Sequence, residues 1–177
     1  LPHNCALVLG DFAENYTFVV QDEIQTFHWT KLYCTLHPIV VYYKENGELA
    51  EKSFCFISDD LEHDTEFVFE VQRKLVKILQ ETVATITEVE YFSDGCAAQY
   101  KNYKNILNLC RHKEDFGIDA TWVFFATSHG KSPCDGIGGA VKRLTARASL
   151  QRPYSDQILD VPSMLDFCKT NIPSIEF

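Results

Sequence analysis

Residues 88–102, with the sequence EVEYFSDGCAAQYKN, constrain the fold more than any other stretch of the chain. A strand-like run rich in β-branched and aromatic residues ends at Asp94, and Gly95 then leads into a polar and basic helix start. In α/β folds, ligands bind at the carboxyl ends of the strands. The stretch therefore predicts an α/β fold and makes Asp94 a candidate site residue at the edge of the sheet.

Strand signals before this stretch predict how the sheet is built. Residues 5–20 open with a short apolar run that ends at Gly10-Asp11, which is typical of a buried strand. Asn46-Gly47 separates two β-rich runs at 34–43 and 50–58, and this dipeptide is the strongest short-range hairpin signal. We therefore expect an antiparallel pair with the opening strand beside it.

Helix signals come from caps and from apolar spacing. Asp64 is a suitable N-cap, and Asp160 precedes a short helix in the same way. Residues 137–150 are predicted to form a helix after a buried strand at 119–126. The helix after Asp64 carries an apolar stripe for one buried face: Val68, Val71, Leu75, Ile78 and Leu79.

A further helix is predicted over residues 99–110. Its apolar residues fall on one side: Tyr103, Ile106, Leu107 and Cys110. Cys110 and His112 are too close together and too isolated for a zinc site of known spacing. We therefore assign Cys110 to the core and His112 to the surface.

Asp11 is a second candidate for the same edge of the sheet as Asp94. It follows the opening strand in the way that Asp94 follows a later one. The alternative is that Gly10-Asp11 forms a turn or that Asp11 is a cap.

The loop over residues 127–139 is the most unusual in the chain. It brings His129, Lys131 and Asp135 together after a buried strand, which favours a site. The alternative is that Asp135 caps the helix that follows. Gly138-Gly139 near the start of this helix lowers helix stability and permits close approach of another backbone or a ligand.

Composition limits the class of protein. A chain of 177 residues, 46% of them hydrophobic, fits a single domain over residues 1–177 with a sizeable core. It has no apolar run near the ~18 residues of a membrane span. The first residues, Leu1-Pro2-His3, show neither an initiator Met nor a signal-peptide pattern, which predicts a fragment of a longer, non-secreted protein. Seven cysteines without a CxxC pair indicate reduced thiols in the cytosol or nucleus.

The net charge of −9 argues against a domain that binds DNA mainly through its phosphates. If nucleic acid is the substrate, metal ions or another part of the protein must supply the positive charge.

Three segments of the chain carry a family resemblance: GDFAENY at 10–16, FSDGCAAQYKN at 92–102 and SHGKSPCDGIGGAVKR at 128–143. They resemble segments that recur in transposon-derived animal proteins. The predicted order of strands, helices and acids resembles the ribonuclease H-like catalytic core of DDE/DDD transposases and retroviral-type integrases. The resemblance covers residues 5–177.

The resemblance implies a ribonuclease H-like mixed sheet, with an antiparallel hairpin plus parallel strands, flanked by helices. It implies that Asp11, Asp94 and Asp135 are catalytic residues that bind two Mg²⁺ or Mn²⁺ ions, because hard cations prefer carboxylate oxygens. The implied reaction is metal-dependent cleavage and strand transfer at DNA phosphodiester bonds.

Further residues beside these acids are expected to contact the scissile phosphate or the charge that develops on it. They are His129, Lys131, Lys101 and Gln99. DNA is the expected partner, bound through regions outside this fragment, in the nucleus or the cytoplasm. Homo-oligomerisation is left open.

Other functions remain open. The same resemblance leaves open a domesticated, catalytically silent ribonuclease H-like interaction module, or a nuclease of the same fold that does not transpose. A third alternative is an enzyme with a cysteine nucleophile, Cys96 or Cys134, paired with His129. The charge of Asp135 beside Cys134 disfavours a thiolate there.

Overall fold

The computed structural model describes residues 1–20, 32–125 and 132–177 of the chain. The strands in these ranges are β1 (Cys5–Gly10), β2 (Tyr16–Thr17), β3 (Tyr33–Glu45), β4 (Glu48–Ser58), β5 (Glu88–Ser93) and β6 (Asp119–Phe124). The helices are α1 (Thr65–Thr82), α2 (Tyr103–Phe116), α3 (Pro133–Gln151) and α4 (Val161–Asn171), with a 3-10 turn at Tyr154–Asp156.

The sheet is mixed, as predicted. Its strand order is β2-β3-β1-β5-β6, and β4 pairs with β3. β1 runs antiparallel to β3, whereas β1 with β5 and β5 with β6 are parallel pairs. The predicted α/β class and the combination of an antiparallel hairpin with parallel strands are therefore confirmed.

The turn between β3 and β4 is the predicted hairpin turn. Asn46 has a φ of 51° and Gly47 a φ of 88°. Positive φ at both central residues matches a type I′ turn, whose twist suits the flanking strands. Asn and Gly are the residues that adopt this conformation with least strain, which is why the dipeptide locates the turn.

The described residues form two compact units, and neither is continuous along the chain. The first unit consists of residues 1–11, 39–52 and 62–125. The second consists of residues 12–20, 32–38, 53–61 and 132–177. The prediction of one domain over residues 1–177 stays a prediction.

In the first unit, α1 has the N-cap and the buried apolar stripe that the sequence predicts. Asp64 caps the helix by accepting a hydrogen bond from the Phe67 backbone N–H at 2.9 Å. The predicted stripe is buried except for Ile78, which is half-buried. Burying such a stripe removes apolar side chains from water and is the main contribution that an amphipathic helix makes to stability.

The prediction for α2 is wrong in two respects. The helix begins at Tyr103 instead of residue 99, because the Asn102 side chain caps it by accepting from the Asn105 N–H at 3.0 Å. The assignment of Cys110 to the core and His112 to the surface is reversed: Cys110 is exposed and His112 is buried. His112 is buried because both of its ring nitrogens find partners inside the unit.

The second unit has its own apolar core. It contains residues from β2, from the first half of β3, from β4 and from α3 and α4, among them Tyr16, Leu36, Cys55, Val141 and Met164. The helix α3 approaches this layer closely at Gly138, where an added Cβ would lie 3.0 Å from the Ala13 Cβ. The predicted close approach is thus confirmed for Gly138, whereas the position of Gly139 is open.

Two helix starts in the second unit test the predicted caps. The Asp160 carboxylate accepts from the Ser163 N–H at 2.8 Å, so the predicted cap of α4 is confirmed. α3 begins at Pro133, four residues before the predicted start at 137, because Ser132 caps it. Pro is favourable at this first position because its missing N–H has no helical partner there.

Among the described residues, no helix is both long enough and apolar enough to cross a membrane.

Candidate functional site

Asp11 and Asp94 occupy equivalent positions after two neighbouring parallel strands. The pairing of β1 with β5 runs from Cys5↔Glu88 to Leu9↔Phe92, a constant offset of 88 − 5 = 83 residues. Asp11 and Asp94 are separated by the same number, 94 − 11 = 83. Both acids follow the carboxyl ends of their strands, so the shared offset places the backbones of Asp11 and Asp94 at the same edge of the sheet.

The backbone at Asp94 is held by a buried hydrogen-bond chain. The Trp122 indole N–H donates to the Ser93 hydroxyl oxygen at 2.9 Å, and that hydroxyl donates to the Asp94 carbonyl oxygen at 3.0 Å. Ser93 is buried, so these bonds are sheltered from water. The Asp94 carboxylate is itself exposed, and its Oδ1 accepts from the Cys96 N–H at 3.0 Å.

The loop from Asp94 to α2 is closely braced. Tyr100 is buried, and its N–H donates to the Cys96 carbonyl at 2.8 Å. The Asn102 amide donates to the Ala97 carbonyl at 2.9 Å and to the Thr65 hydroxyl at 2.7 Å. The loop therefore holds a fixed shape from the first acid to the start of the helix.

Two of the predicted phosphate contacts lie in this loop. Lys101 is exposed and folds back, so that its Cδ would lie 3.8 Å from a Cβ added at Gly95. Its Nζ lies 5.7 Å from the centre of the Phe124 ring, in cation–π geometry. Gln99 is half-buried, and its carbonyl accepts from the Thr65 hydroxyl at 3.2 Å. Lys101 thus provides a positive charge beside the turn that follows Asp94.

Asp135 lies in the second unit, in the first turn of α3. Its Oδ2 accepts from the Ser132 N–H at 3.0 Å, and the Ser132 hydroxyl accepts from the Cys134 N–H at 3.2 Å. These reciprocal bonds form a capping box. Asp135 thus takes part in the cap from the third helical position, whereas the N-cap itself is Ser132. The role of Asp135 as a third acid stays a prediction.

His129 and Lys131 lie outside the described residues. Within residues 1–20, 32–125 and 132–177, no group of three or more His, Cys, Asp or Glu side chains is arranged to hold a metal ion. The joint role of Asp11, Asp94 and Asp135 as metal ligands therefore stays a prediction.

The alternative of a cysteine nucleophile stays open at Cys96, which is half-buried. Cys134 is 1% exposed, which closes it to a substrate. Cys34, also in the second unit, is fully buried, and this burial raises its thiol pKa to about 12. Buried thiols in apolar surroundings are inert because the thiolate is the reactive form.

A buried polar network in the first unit had no sequence signal. The His112 Nδ1–H donates to the Ile118 carbonyl at 2.8 Å, so Nε2 is the acceptor for the Tyr91 hydroxyl at 2.9 Å. Burial lowers the pKa of His112. The hydrogen bond between Ser93 and Trp122 was not predicted from the sequence either. The alternation of residues in β5, which places Ser93 on the same face as Tyr91, was the one available hint.

Residues 1–177 match the family described as "Domain of unknown function (DUF8701)", and the chain belongs to that family. No curated protein and no solved structure matches it.

Proposed function

We propose that this family member is a ribonuclease H-like catalytic core that cleaves and joins DNA phosphodiester bonds with Mg²⁺ or Mn²⁺, as transposases do. One observation carries the proposal: Asp11 and Asp94 follow adjacent parallel strands in register. The mixed sheet, with the antiparallel strand β3 on the other side of β1, agrees with it.

Two neighbouring carboxylates fit a hard divalent ion. Mg²⁺ is commonly held by one or two carboxylates together with substrate phosphates and water, so a complete protein cage is not required. Asp11 and Asp94 would hold the ion at the edge of the sheet. A bound ion supplies an activated nucleophile and stabilises charge on the leaving oxygen.

The chain's own residues position this chemistry. The hydrogen bonds from Trp122 to Ser93 and from Ser93 to the Asp94 carbonyl hold the backbone of Asp94, and the Cys96 N–H orients its carboxylate, which limits reorganisation when a substrate binds. Lys101, in the loop that follows Asp94, would place one positive charge near the substrate phosphate. Because the net charge is −9, DNA binding needs further positive charge, which metal ions or another part of the protein would supply.

Metal binding tests the acid pair directly. We expect titration calorimetry with Mn²⁺, with and without a short DNA duplex, to show binding to the wild type. Asp11→Asn and Asp94→Asn should each weaken it by about tenfold or more, which corresponds to about 1.4 kcal/mol. Each variant removes one charged oxygen ligand and leaves the size of the side chain unchanged.

Asp119→Asn is the matched control. Asp119 begins β6 and pairs with Glu88 at the opposite end of the parallel strands, so this variant removes the same charge from the other edge. It should bind Mn²⁺ as the wild type does. Equal losses in Asp94→Asn and Asp119→Asn, or no binding by any protein with DNA present, would contradict the proposed site.

A catalytically silent module is the second candidate, and the capping box of Asp135 favours it. If Asp135 serves only as a cap, Asp135→Ala and Ser132→Ala should both lower stability by about 0.5–2 kcal/mol. Neither should change the Mn²⁺-dependent nicking of supercoiled plasmid by the full-length protein. If Asp135 is a catalytic ligand, Asp135→Ala alone abolishes nicking. A wild type that nicks no plasmid supports the silent module.

A further inference from the structure

The apolar side of α2 faces solvent. Tyr103, Ile106 and Leu107 are 80%, 50% and 46% exposed, and Cys110 is exposed as well. These residues follow the i, i+3, i+4, i+7 spacing of a helix face that normally packs against a protein partner. A contiguous exposed apolar surface of this kind marks an interaction site.

This stripe continues into a cleft of about 760 Å³ in the same unit. Its apolar lining consists of Phe69, Ala97, Ala98, Tyr103 and Leu107. Tyr103 and Leu107 belong to both the stripe and the cleft, so the two form one apolar surface.

The charges around the cleft are divided between its two sides. Asp64 and Glu66 line it from the start of α1, and Lys104 lines it from α2. Glu66 and Lys104 are both exposed. A nucleic acid fits this cleft poorly because the two acids repel phosphate.

We propose that this apolar surface of α2 and the cleft is a dimer interface for a second copy of this chain. A two-fold axis through the cleft brings the acidic side of one protomer against the basic side of its partner, because an isologous contact exchanges the two sides. Glu66 then meets Lys104 of the partner subunit at both ends of the contact. The apolar stripes of the two protomers pack between these charge pairs and are removed from water.

Sedimentation velocity from micromolar to hundreds of micromolar concentration tests the interface. The wild type should show a concentration-dependent dimer. Leu107→Asp should be monomeric throughout, because it puts a charge in the apolar centre. Leu150→Asp is the matched control, since Leu150 is 43% exposed on α3 and is not among the residues that line the cleft. It should dimerise as the wild type does.

A charge exchange tests the two-fold arrangement. Lys104→Glu should raise the dimer dissociation constant about tenfold, because like charges then face each other. Adding Glu66→Lys to Lys104→Glu should restore much of the affinity. Circular dichroism establishes that each variant is folded.

Three results would overturn the proposal. The first is a monomeric wild type at every concentration, which assigns the surface to a different partner. The second is a dimer that persists in folded Leu107→Asp. The third is a double charge variant that is no tighter than Lys104→Glu alone.

Discussion

The helices α1 and α2 belong to the same unit and carry similar apolar spacing. The apolar side of α1, however, faces the core, whereas the apolar side of α2 faces solvent. In α1, the residues Val68, Val71, Leu75 and Leu79 are 1–5% exposed. In α2, Tyr103, Ile106 and Leu107 are largely exposed, and the buried residues are Asn105 and His112. Apolar periodicity therefore identifies both helices but predicts the inner face of only one.

Hydrogen bonds to carbonyl groups explain the orientation of α2. Asn105 donates to the Tyr100 carbonyl at 2.8 Å, and His112 donates to the Ile118 carbonyl at 2.8 Å. They are seven residues apart and so lie on the same face of the helix. Burying either carbonyl without a partner costs about 1–3 kcal/mol. Polar residues at helical spacing can thus define the inner face when loops supply acceptors.

Matched leucine truncations test the contrast between the two helices most strongly. Leu75→Ala in α1 should lower the free energy of unfolding by about 2–5 kcal/mol, because it leaves a cavity in the core. Leu107→Ala in α2 should cost less than about 1 kcal/mol at concentrations where the chain is monomeric. Urea denaturation followed by circular dichroism measures both. A similar cost for Leu107→Ala would show that the outer side of α2 is core.

Local signals predicted much of the fold. Asn46-Gly47 located the hairpin because both residues accept positive φ, and Asp64 and Asp160 located helix starts because their carboxylates satisfy free N–H groups. Local turn and cap signals could not predict which side of α2 faces the core. That orientation depends on the carbonyls of Tyr100 and Ile118, whose positions are set by the tertiary fold.

The features of the candidate site were likewise predictable only in part. The positions of Asp11 and Asp94 after β1 and β5 were predictable, because an apolar or β-rich run precedes each acid. Their convergence on one metal ion stays a prediction. Asp135 was ambiguous, since one carboxylate at a helix start serves equally as cap or ligand. The Ser93–Trp122 bond could not be predicted, because it joins residues 29 positions apart across two strands.

The next prediction concerns the hydrogen bond between Tyr91 and His112 on the buried polar face of α2. Tyr91→Phe and His112→Phe should each lower the free energy of unfolding by about 1–3 kcal/mol, because each leaves a buried group without its partner. The double variant should cost less than the sum, because the second change removes the orphaned group. Strict additivity in thermal or urea unfolding would mean that the Tyr91–His112 bond is not formed in solution.

His112 also makes stability depend on pH. Burial lowers its folded pKa below the ordinary value, so the unfolded chain binds the proton first as the pH falls. Its contribution is complete above the unfolded pKa of about 6.5 and is lost as the pH falls from there towards the folded pKa. Urea unfolding of wild type and His112→Phe across this range should show a smaller acid loss in the variant. Parallel curves would assign the acid sensitivity to other groups.

Removing the N-cap of α1 or of α2 should have the smallest effects on stability, and the two costs can be compared directly. Asp64→Ala removes the hydrogen bond from the Phe67 N–H and should cost about 0.5–2 kcal/mol. Asn102→Ala removes the cap to Asn105 and two further bonds, to the Ala97 carbonyl and the Thr65 hydroxyl. It should therefore cost about 1 kcal/mol more than Asp64→Ala.

A Thr65 variant distinguishes the capping bond of Asn102 to Asn105 from the bond of Asn102 to Thr65. Asn102→Ala combined with Thr65→Ala should cost less than the sum of the single variants, because Thr65 and Asn102 share one bond at 2.7 Å. Asp64→Ala and Asn102→Ala of equal cost would mean that α2, like α1, starts with a local cap alone. An excess cost for Asn102→Ala would show that polar contacts from α1 and the loop after Asp94 hold α2 in place, while its apolar side stays available to a partner.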